Sequence, residues 1–235
     1  MPTFNIIDYG RNWTNMTTTG ARAIIFTGGR LDDWALKYIQ PGDLLIGADN
    51  GAAYLTERGY SLYAALGDFD SVTDSMKESI RANSGQFIEC DPVMKDASDT
   101  QMAFEFALRQ NPAAIVICGA LGSRFDHSLS NVQLLVKALD RRIDCMIADE
   151  HNEITIAGAN RPVQITRKHF AYASLLPLSS TVTGVTLEGF RYPLDNATLT
   201  LGNSLSVSNE LIADEGVVSV QTGKLLVIQS KDECD

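Results

Sequence analysis

Residues 64–71 read Ala-Ala-Leu-Gly-Asp-Phe-Asp-Ser, a short apolar run that ends in a glycine and two acids. Residues i and i+2 of an extended backbone project to the same side, so Asp68 and Asp70 are predicted to point together while Phe69 turns toward packing. Two carboxylates held close repel each other, which raises the pKa of one of them unless a cation lies between them. The stretch therefore predicts a divalent-ion site or, because Gly-Asp and Asp-Ser are ordinary loop sequences, a solvated turn.

Short apolar runs of this kind alternate with helix-length segments along the first two thirds of the chain. The runs lie at residues 23–26, 44–46, 64–66, 114–118 and 145–148. Short buried strands separated by amphipathic helices are typical of an α/β fold with a doubly wound, mostly parallel sheet and helices on both faces. Capping boxes, in which a Ser side chain accepts an N–H bond at a helix start, are predicted at Ser75 and Ser98.

The pattern changes after about residue 157. Short alternating or β-rich runs follow at residues 163–166, 172–176, 204–208, 217–220 and 225–228, with glycines between them. This change predicts a smaller all-β domain, either a sandwich or a roll. We therefore expect an N-terminal tail at residues 1–20, an α/β domain at 21–157 and the all-β domain at 158–235.

Charge and hydropathy limit the classes of partner. The 235 residues include 19 basic and 29 acidic side chains, for a net charge of −10. Nucleic-acid binding needs a basic footprint, so no nucleic-acid partner is expected. Mg²⁺ can nevertheless bridge carboxylates to the phosphates of a nucleotide substrate. No apolar run approaches the ~18 residues of a membrane-spanning helix, so no membrane partner is expected either.

The cysteines indicate the compartment. They lie at positions 90, 118, 145 and 234, widely spaced and without a Cys-x-x-Cys pair. Free thiols in a reducing environment are the expected state, in place of a disulfide framework or a zinc site. Residues 1–20 also lack the basic-then-apolar layout of a signal peptide, and we therefore expect a cytoplasmic protein.

The residues that follow each apolar run form the candidate site, because open parallel sheets bind ligands beyond the carboxyl ends of their strands. These positions include Gly28, Gly29, Arg30, Asp49, Asn50, Asp68, Asp70, Lys95, Asp96, Ser98, Asp99 and the run 119–127 with Arg124, Asp126 and His127. Glycines let backbone N–H groups approach an anion, which suits a polyphosphate. A single Asp after a strand is commonly a helix cap. Acids that follow several strands at the same edge of a sheet are poorly explained by helix capping alone.

Several familiar sites are excluded. The sequence has no Gly-x-x-x-x-Gly-Lys-Ser/Thr loop, and no Gly-x-Gly-x-x-Gly follows its first strand. His127 lies beside Asp126, but no Ser stands in a nucleophile-elbow motif. The other histidines, His151 and His169, are interpreted as structural or exposed. The sequence predicts metal-assisted phosphoryl transfer by positioning and charge neutralisation.

Taken in order, these motifs resemble those of the thiamine pyrophosphokinase family, over about residues 23–230. The segments that carry the resemblance are 47–51, 67–71, 95–99, 119–131, 189–194, 202, 208–210 and 223–227. The resemblance implies a Mg²⁺-dependent thiamine diphosphokinase, a homodimer that transfers a diphosphoryl group from ATP to the hydroxyl of thiamine and releases AMP.

The resemblance also implies roles for individual residues. The acids that hold metal and carry catalysis are Asp68, Asp70 and Asp99. The residues on the ATP side are Asp49, Asn50, Arg124, Asp126 and His127, beside Gly28, Gly29, Arg30 and Lys95. The thiamine residues are Asp68, Ser208 and Asn209, in a site shared across the dimer interface. A purely structural role for Ser208 and Asn209, as turn residues at a strand end, is the alternative.

Two departures from the family pattern stand out. Ser123 occupies a position where the family commonly has a second glycine. No Trp follows Trp34, so Phe190 and Tyr192 are the candidates for an aromatic residue that covers thiamine.

Two other functions are alternatives to the kinase. One is a metal-dependent phosphohydrolase, and the other is a nucleotide or thiamine sensor, which would need no set of metal ligands. AMP formed only in the presence of thiamine distinguishes the kinase from the hydrolase.

Overall fold

The computed structural model describes residues 20–90 and 97–232. Strands β1–β6 span Ala23–Phe26, Leu44–Ala48, Ala64–Gly67, Phe87–Glu89, Ala114–Cys118 and Asp144–Ala148. Strands β7–β13 span Asn152–Gly158, Val163–Thr166, Tyr172–Pro177, Thr181–Glu188, Ala197–Thr200, Glu215–Ser219 and Lys224–Ser230. Helices α1–α5 span Asp33–Leu36, Asn50–Glu57, Asp74–Ala82, Asp99–Arg109 and Phe125–Asp140. None of the helices in the described ranges is both long and apolar enough to cross a membrane.

The first six strands are parallel and lie in the order β4-β3-β2-β1-β5-β6. Helices α4 and α5 cover one face of this sheet and α1, α2 and α3 the other, each face with its own core. Strand β1 is buried on both faces, since Ile24 and Phe26 enter one core while Ala23 and Ile25 enter the other. The predicted doubly wound α/β sheet is confirmed.

The large sheet continues into the C-terminal part of the chain. Strands β7, β13 and β9 extend it beyond β6 in antiparallel pairing. A second antiparallel sheet, in the order β11-β10-β12-β8, packs on this extension around a third core that includes Leu175, Val182, Leu187, Val218 and Leu225. The smaller all-β part is therefore a sandwich, which we call the β unit. Its first layer belongs to the large sheet, and the predicted limit at residues 157/158 falls at the end of β7.

Two local predictions differ from the structure. Residues 204–208 are a loop and not a strand, because Asn203 accepts the N–H of Leu205 at 2.9 Å and bends the backbone. Helix α3 is capped by Thr73, which accepts the N–H of Met76, and not by Ser75. The predicted cap at Ser98 is confirmed.

Candidate active site

A cavity of about 930 Å³ opens at the carboxyl ends of β1, β2, β5 and β6. The chain changes the direction in which it adds strands between β1 and β5, and open α/β sheets bind ligands at such a switch point. The predicted site residues that line the cavity are Gly28, Gly29, Arg30, Asp49, Asp99, Arg124 and His127. The fold thus brings acids, cations and glycines from separate segments to one place.

The remaining predicted residues lie beside the cavity or away from it. Among the described residues, those predicted for the site but outside its lining are Asn50, Asp68, Asp70, Asp126, Ser208 and Asn209. Lys95, Asp96, Cys234 and residues 1–19 of the predicted tail lie outside the described residues.

The loops after β1 and β5 are joined at the switch point. The hydroxyl of Thr27 donates to the carbonyl of Gly119 at 2.6 Å, and the backbone N–H of Gly29 donates to the same oxygen at 3.0 Å. A Cβ atom at Gly29 would overlap that carbonyl, so backbone packing requires glycine there. The two loops form one backbone surface of the kind that cradles phosphate groups.

Asp49 combines a strained backbone with a constrained carboxylate. Its φ of 46° lies in the left-handed region. Its side chain does not cap α2 but accepts the N–H of Phe69 at 3.1 Å. A Cβ atom at Gly67 would overlap this carboxylate, so glycine is needed beside it. Strain of this kind persists only where the surrounding structure enforces it, and it concentrates at functional sites.

The electrostatics of this corner favour a cation. Burial, followed by the charge and hydrogen bond of Asp99, raises the pKa of Asp49 to about 7, with a smaller contribution from Asp68 and an opposing one from the N–H of Phe69. A bound cation would relieve the crowding of these acids. Carboxylate oxygens are the ligands that Mg²⁺ prefers, so the donor chemistry fits this ion.

The arrangement of the described side chains does not yet form a complete metal site. Within residues 20–90 and 97–232, no three His, Cys, Asp or Glu side chains are arranged to hold a metal ion. The assignment of Asp68, Asp70 and Asp99 to a metal therefore stays a prediction.

The loop at residues 68–70 is not extended. Phe69 has a φ of 55°, so the predicted alternation of side chains along an extended backbone is wrong. The reason is packing: Phe69 is 2% exposed and its ring stacks on Phe87 with centroids 4.6 Å apart. The predicted burial of Phe69 is confirmed. Asp68 is half-buried and accepts the N–H of Asp70 at 3.3 Å, while Asp70 is exposed.

Two helices begin at the cavity. Ser98 accepts the N–H of Gln101 at 3.3 Å, which makes Asp99 the first residue of α4. Helix α5 follows Arg124, whose guanidinium donates to both carboxylate oxygens of Asp126, at 3.2 and 2.6 Å. This hydrogen bond lowers the pKa of Asp126 from its ordinary value. The partial positive charge at both helix starts favours an anionic ligand between them.

The cavity also includes residues for which the sequence predicts no role at the site. They are Thr27, Trp34, Ser128, Asn131, Asp149, Glu150, His151 and Asn152, among others. The last four follow β6, so the rule that selected the other loops would have found them. His151, interpreted from the sequence as structural or exposed, lines the cavity. Trp34 carries no sequence signal, because a single indole in a short helix is equally typical of a core.

Asn209 lies inside the β unit. Its side chain is buried and bonds three backbone groups: the carbonyl of Tyr192 at 2.8 Å, the N–H of Tyr192 at 3.1 Å and the N–H of Glu210 at 2.8 Å. Ser208 is exposed, with a φ of 58°. Of the two aromatic candidates, Phe190 is in the core of the sandwich and Tyr192 is exposed. The geometry favours the structural role of Asn209.

Asn209→Ala is expected to destabilise the protein by about 1 to 3 kcal/mol, because it leaves buried backbone groups of residues 192 and 210 unpaired. Thermal and denaturant unfolding would measure the loss. Ser208→Ala is the matched control, since it removes an exposed hydroxyl and is expected to leave the midpoint unchanged. An unchanged midpoint for Asn209→Ala, with a raised thiamine KM, would show instead that the amide serves the ligand.

Two family models match the chain. Residues 35–147 match the model of the thiamin pyrophosphokinase catalytic domain. Residues 162–227 match the model of the thiamin pyrophosphokinase vitamin B1 binding domain. All lining residues of the cavity between 48 and 131 fall within the first match.

Relatives and solved structures agree with these matches. A thiamine pyrophosphokinase of Bacillus subtilis is 35% identical, over 83% of this chain and 91% of the relative. The crystal structure of thiamine pyrophosphokinase from Bacillus subtilis superposes with a TM-score of 0.82 at 34% identity, covering 90% of this chain and 99% of the other. The thiamin pyrophosphokinase structure from Geobacillus thermodenitrificans gives 0.79 at 32% identity, covering 90% and 98%.

Proposed function

The chain belongs to the thiamin pyrophosphokinase family, and we propose that the cavity at the β1/β5 switch point is its diphosphoryl-transfer site. The reaction moves a diphosphoryl group from ATP to the hydroxyl of thiamine and gives thiamine diphosphate and AMP. The observation that carries the proposal is the placement of Asp49 and Asp99 beside the glycine loops at residues 28–29 and 119–122.

The proposed roles divide the cavity into a phosphate part and an acid part. The glycine loops and the starts of α4 and α5 bind the polyphosphate through backbone N–H groups. The residues proposed for the ATP side are Gly28, Gly29, Arg30, Asp49, Asn50, Lys95, Arg124, Asp126 and His127. Arg30 and Arg124 are exposed cations at the rim, able to turn toward a phosphate.

Mg²⁺ is the proposed cofactor, held by Asp99 together with Asp68 and Asp70. When bound, it supplies charge neutralisation to the phosphates. Asp49, whose carboxyl group is held by the N–H of Phe69, would give up its proton when the cation binds and so add negative charge to the site. Asp68 is also proposed to face thiamine. These roles belong to residues 21–157 in the proposed division, and thiamine binding and dimerisation to residues 158–235.

Removal of divalent ions tests the metal. Transfer is expected to stop when EDTA strips the enzyme and to return on addition of Mg²⁺, because the acids repel the substrate phosphates without a cation between them. The amount of thiamine diphosphate formed is the measurement, and the melting temperature in EDTA is the control for folding. Undiminished transfer by the metal-free protein would refute the proposed cofactor.

A homodimer is proposed through the β unit. Residues 192–212 hold exposed apolar side chains, Tyr192, Leu201, Leu205, Val207 and Ile212. Large exposed apolar side chains in one segment of a soluble protein mark an interaction surface, and homodimers are the commonest assemblies.

The cysteines of the described ranges, Cys90, Cys118 and Cys145, are free thiols, which supports the proposed cytoplasmic location.

The double variant Leu205→Glu, Ile212→Glu is expected to be a monomer, because two buried carboxylates would have no partner in the interface. Sedimentation equilibrium gives the mass. Leu129→Glu, at an exposed leucine on α5, is the control and is expected to remain a dimer. A double variant that sediments as a dimer would show that the interface lies elsewhere on the protein.

A further inference from the structure

Trp34 is an aromatic wall of the cavity that the proposed phosphate chemistry does not use. It is half-buried in α1, four residues after Arg30, and lines the cavity with Arg30 and residues 149–152. Both Trp34 and the turn at residues 149–152 lie outside the segments matched by the two family models. An indole face at a ligand cavity is suited to stacking on a planar ring.

The indole is held in place by its neighbours. Tyr38 meets Trp34 edge-on, with centroids 6.3 Å apart and planes at 81°. The Tyr38 hydroxyl donates to the carboxylate of Glu153 at 2.9 Å, and Lys168 donates to both oxygens of that carboxylate at 2.8 Å. Glu153 is 5% exposed, so this support lies in the interior. A ring that is already ordered loses little entropy when a ligand stacks on it.

The position of Trp34 fits the base of a nucleotide whose phosphates lie at the acids. Tyr38, which contacts Trp34, bonds Glu153 on β7, and the lining turn at residues 149–152 follows β6, whereas Asp49 follows β2. Three strand spacings separate β2 from β6 in the sheet, or roughly 14 Å at about 4.8 Å each. This separation is comparable with the reach of an extended nucleoside triphosphate from its phosphates to its base.

The two acids that line this end of the cavity, Asp149 and Glu150, already have partners within the protein. The carboxylate of Asp149 accepts the backbone N–H groups of His151 and Asn152, at 2.8 and 2.6 Å. Glu150 lies 4.0 Å from the guanidinium of Arg30. A cationic ring therefore gains less from Asp149 and Glu150 than it would from carboxylates without partners. Adenine is neutral whereas the thiazolium ring of thiamine is cationic, and residues 162–227, which match the vitamin B1 binding model, contribute nothing to the cavity lining.

We propose that Trp34 stacks on the adenine ring of ATP, with the turn at residues 149–152 as the wall beside that ring. The inference rests on the proposed function, in which ATP is the diphosphoryl donor in this cavity.

Loss of a base-stacking aromatic weakens binding roughly 5- to 150-fold. Trp34→Ala is therefore expected to raise the ATP KM by about that factor and to leave the thiamine KM within about twofold. Trp34→Phe, which keeps a stacking face, should recover most of the affinity.

Fluorescence tests the contact directly. The sequence has two tryptophans, Trp13 and Trp34, so Trp34 is the sole indole in a Trp13→Phe background. AMP is expected to quench this emission saturably, whereas inorganic triphosphate, which lacks the base, and thiamine should not. Quenching by triphosphate or thiamine alone, or an unchanged ATP KM in a folded Trp34→Ala enzyme, would overturn the proposal. If Trp34→Ala does not fold, the fluorescence titration with AMP and the ATP KM of Trp34→Phe test the proposal instead. Failure of the proposed function is a separate result, namely no AMP from the unsubstituted enzyme, and the titration still reads the base site.

Discussion

Asp99→Asn is expected to lower the turnover of ATP and thiamine by about 10³-fold, roughly 4 kcal/mol of transition-state stabilisation, while the fold is retained. The amide keeps the shape of the side chain and its place at the start of α4 but removes charge from the acid cluster. Since Asp99 also crowds Asp49, its loss is not expected to lower the melting temperature. Asp70→Asn should have a similar effect on turnover, because the proposal makes Asp70 a ligand of the same metal.

Asp74→Asn is the matched control. Asp74 is an exposed acid in the first turn of α3, four residues after Asp70, and it does not line the cavity. The substitution is expected to leave turnover within about twofold and to cost at most about 1 kcal/mol of helix-end stability. Near-normal turnover by well-folded Asp99→Asn and Asp70→Asn enzymes at saturating Mg²⁺ would refute the metal-ligand assignment.

Gly29→Ala is expected to have the second large effect, on stability and on ATP binding together. Its methyl group would overlap the carbonyl of Gly119, which belongs to the backbone of the neighbouring loop and cannot rotate away. Overpacking of this kind costs about 1 to 3 kcal/mol or more. The bonds from Gly29 and Thr27 to Gly119 would be strained, and we expect the ATP KM to rise about tenfold or more as the phosphate surface opens.

The adjacent glycine provides the comparison. A Cβ atom at Gly28 would lie 3.9 Å from the Cβ of Asn50, an ordinary van der Waals distance. Gly28→Ala is therefore expected to leave the melting temperature nearly unchanged, and differential scanning calorimetry of both variants gives the contrast. Equal midpoints for the two would show that the loops after β1 and β5 are not in rigid contact.

The parallel half of the fold could be predicted because its strands are buried on both faces. The runs at 23–26 and 114–118 coincide with β1 and β5, since doubly covered strands appear in a sequence as unbroken apolar stretches. Strand β4 has three residues, none of them fully buried, and gave no such signal. The run at 204–208 alternates like a strand, but Asn203 and the buried Ser206 use their side chains to hold a loop there.

The sequence was sufficient to predict which loops form the site, but not the directions in which their side chains point. The rule that ligand residues follow strands found Gly29 and Asp49, because topology alone places them. It could not foresee that Asp49 adopts a left-handed backbone, or that the amide of Asn209 turns inward to Tyr192. Both depend on tertiary packing, and an Asn side chain is equally able to bond a backbone or a ligand.

The claim that one intact diphosphoryl group moves from ATP to thiamine is tested most directly by phosphorus NMR of the reaction mixture. With ATP, thiamine and Mg²⁺, we expect thiamine diphosphate and AMP in equal amounts, and no AMP when thiamine is left out. Formation of ADP with thiamine monophosphate, or AMP released without thiamine, would contradict the account.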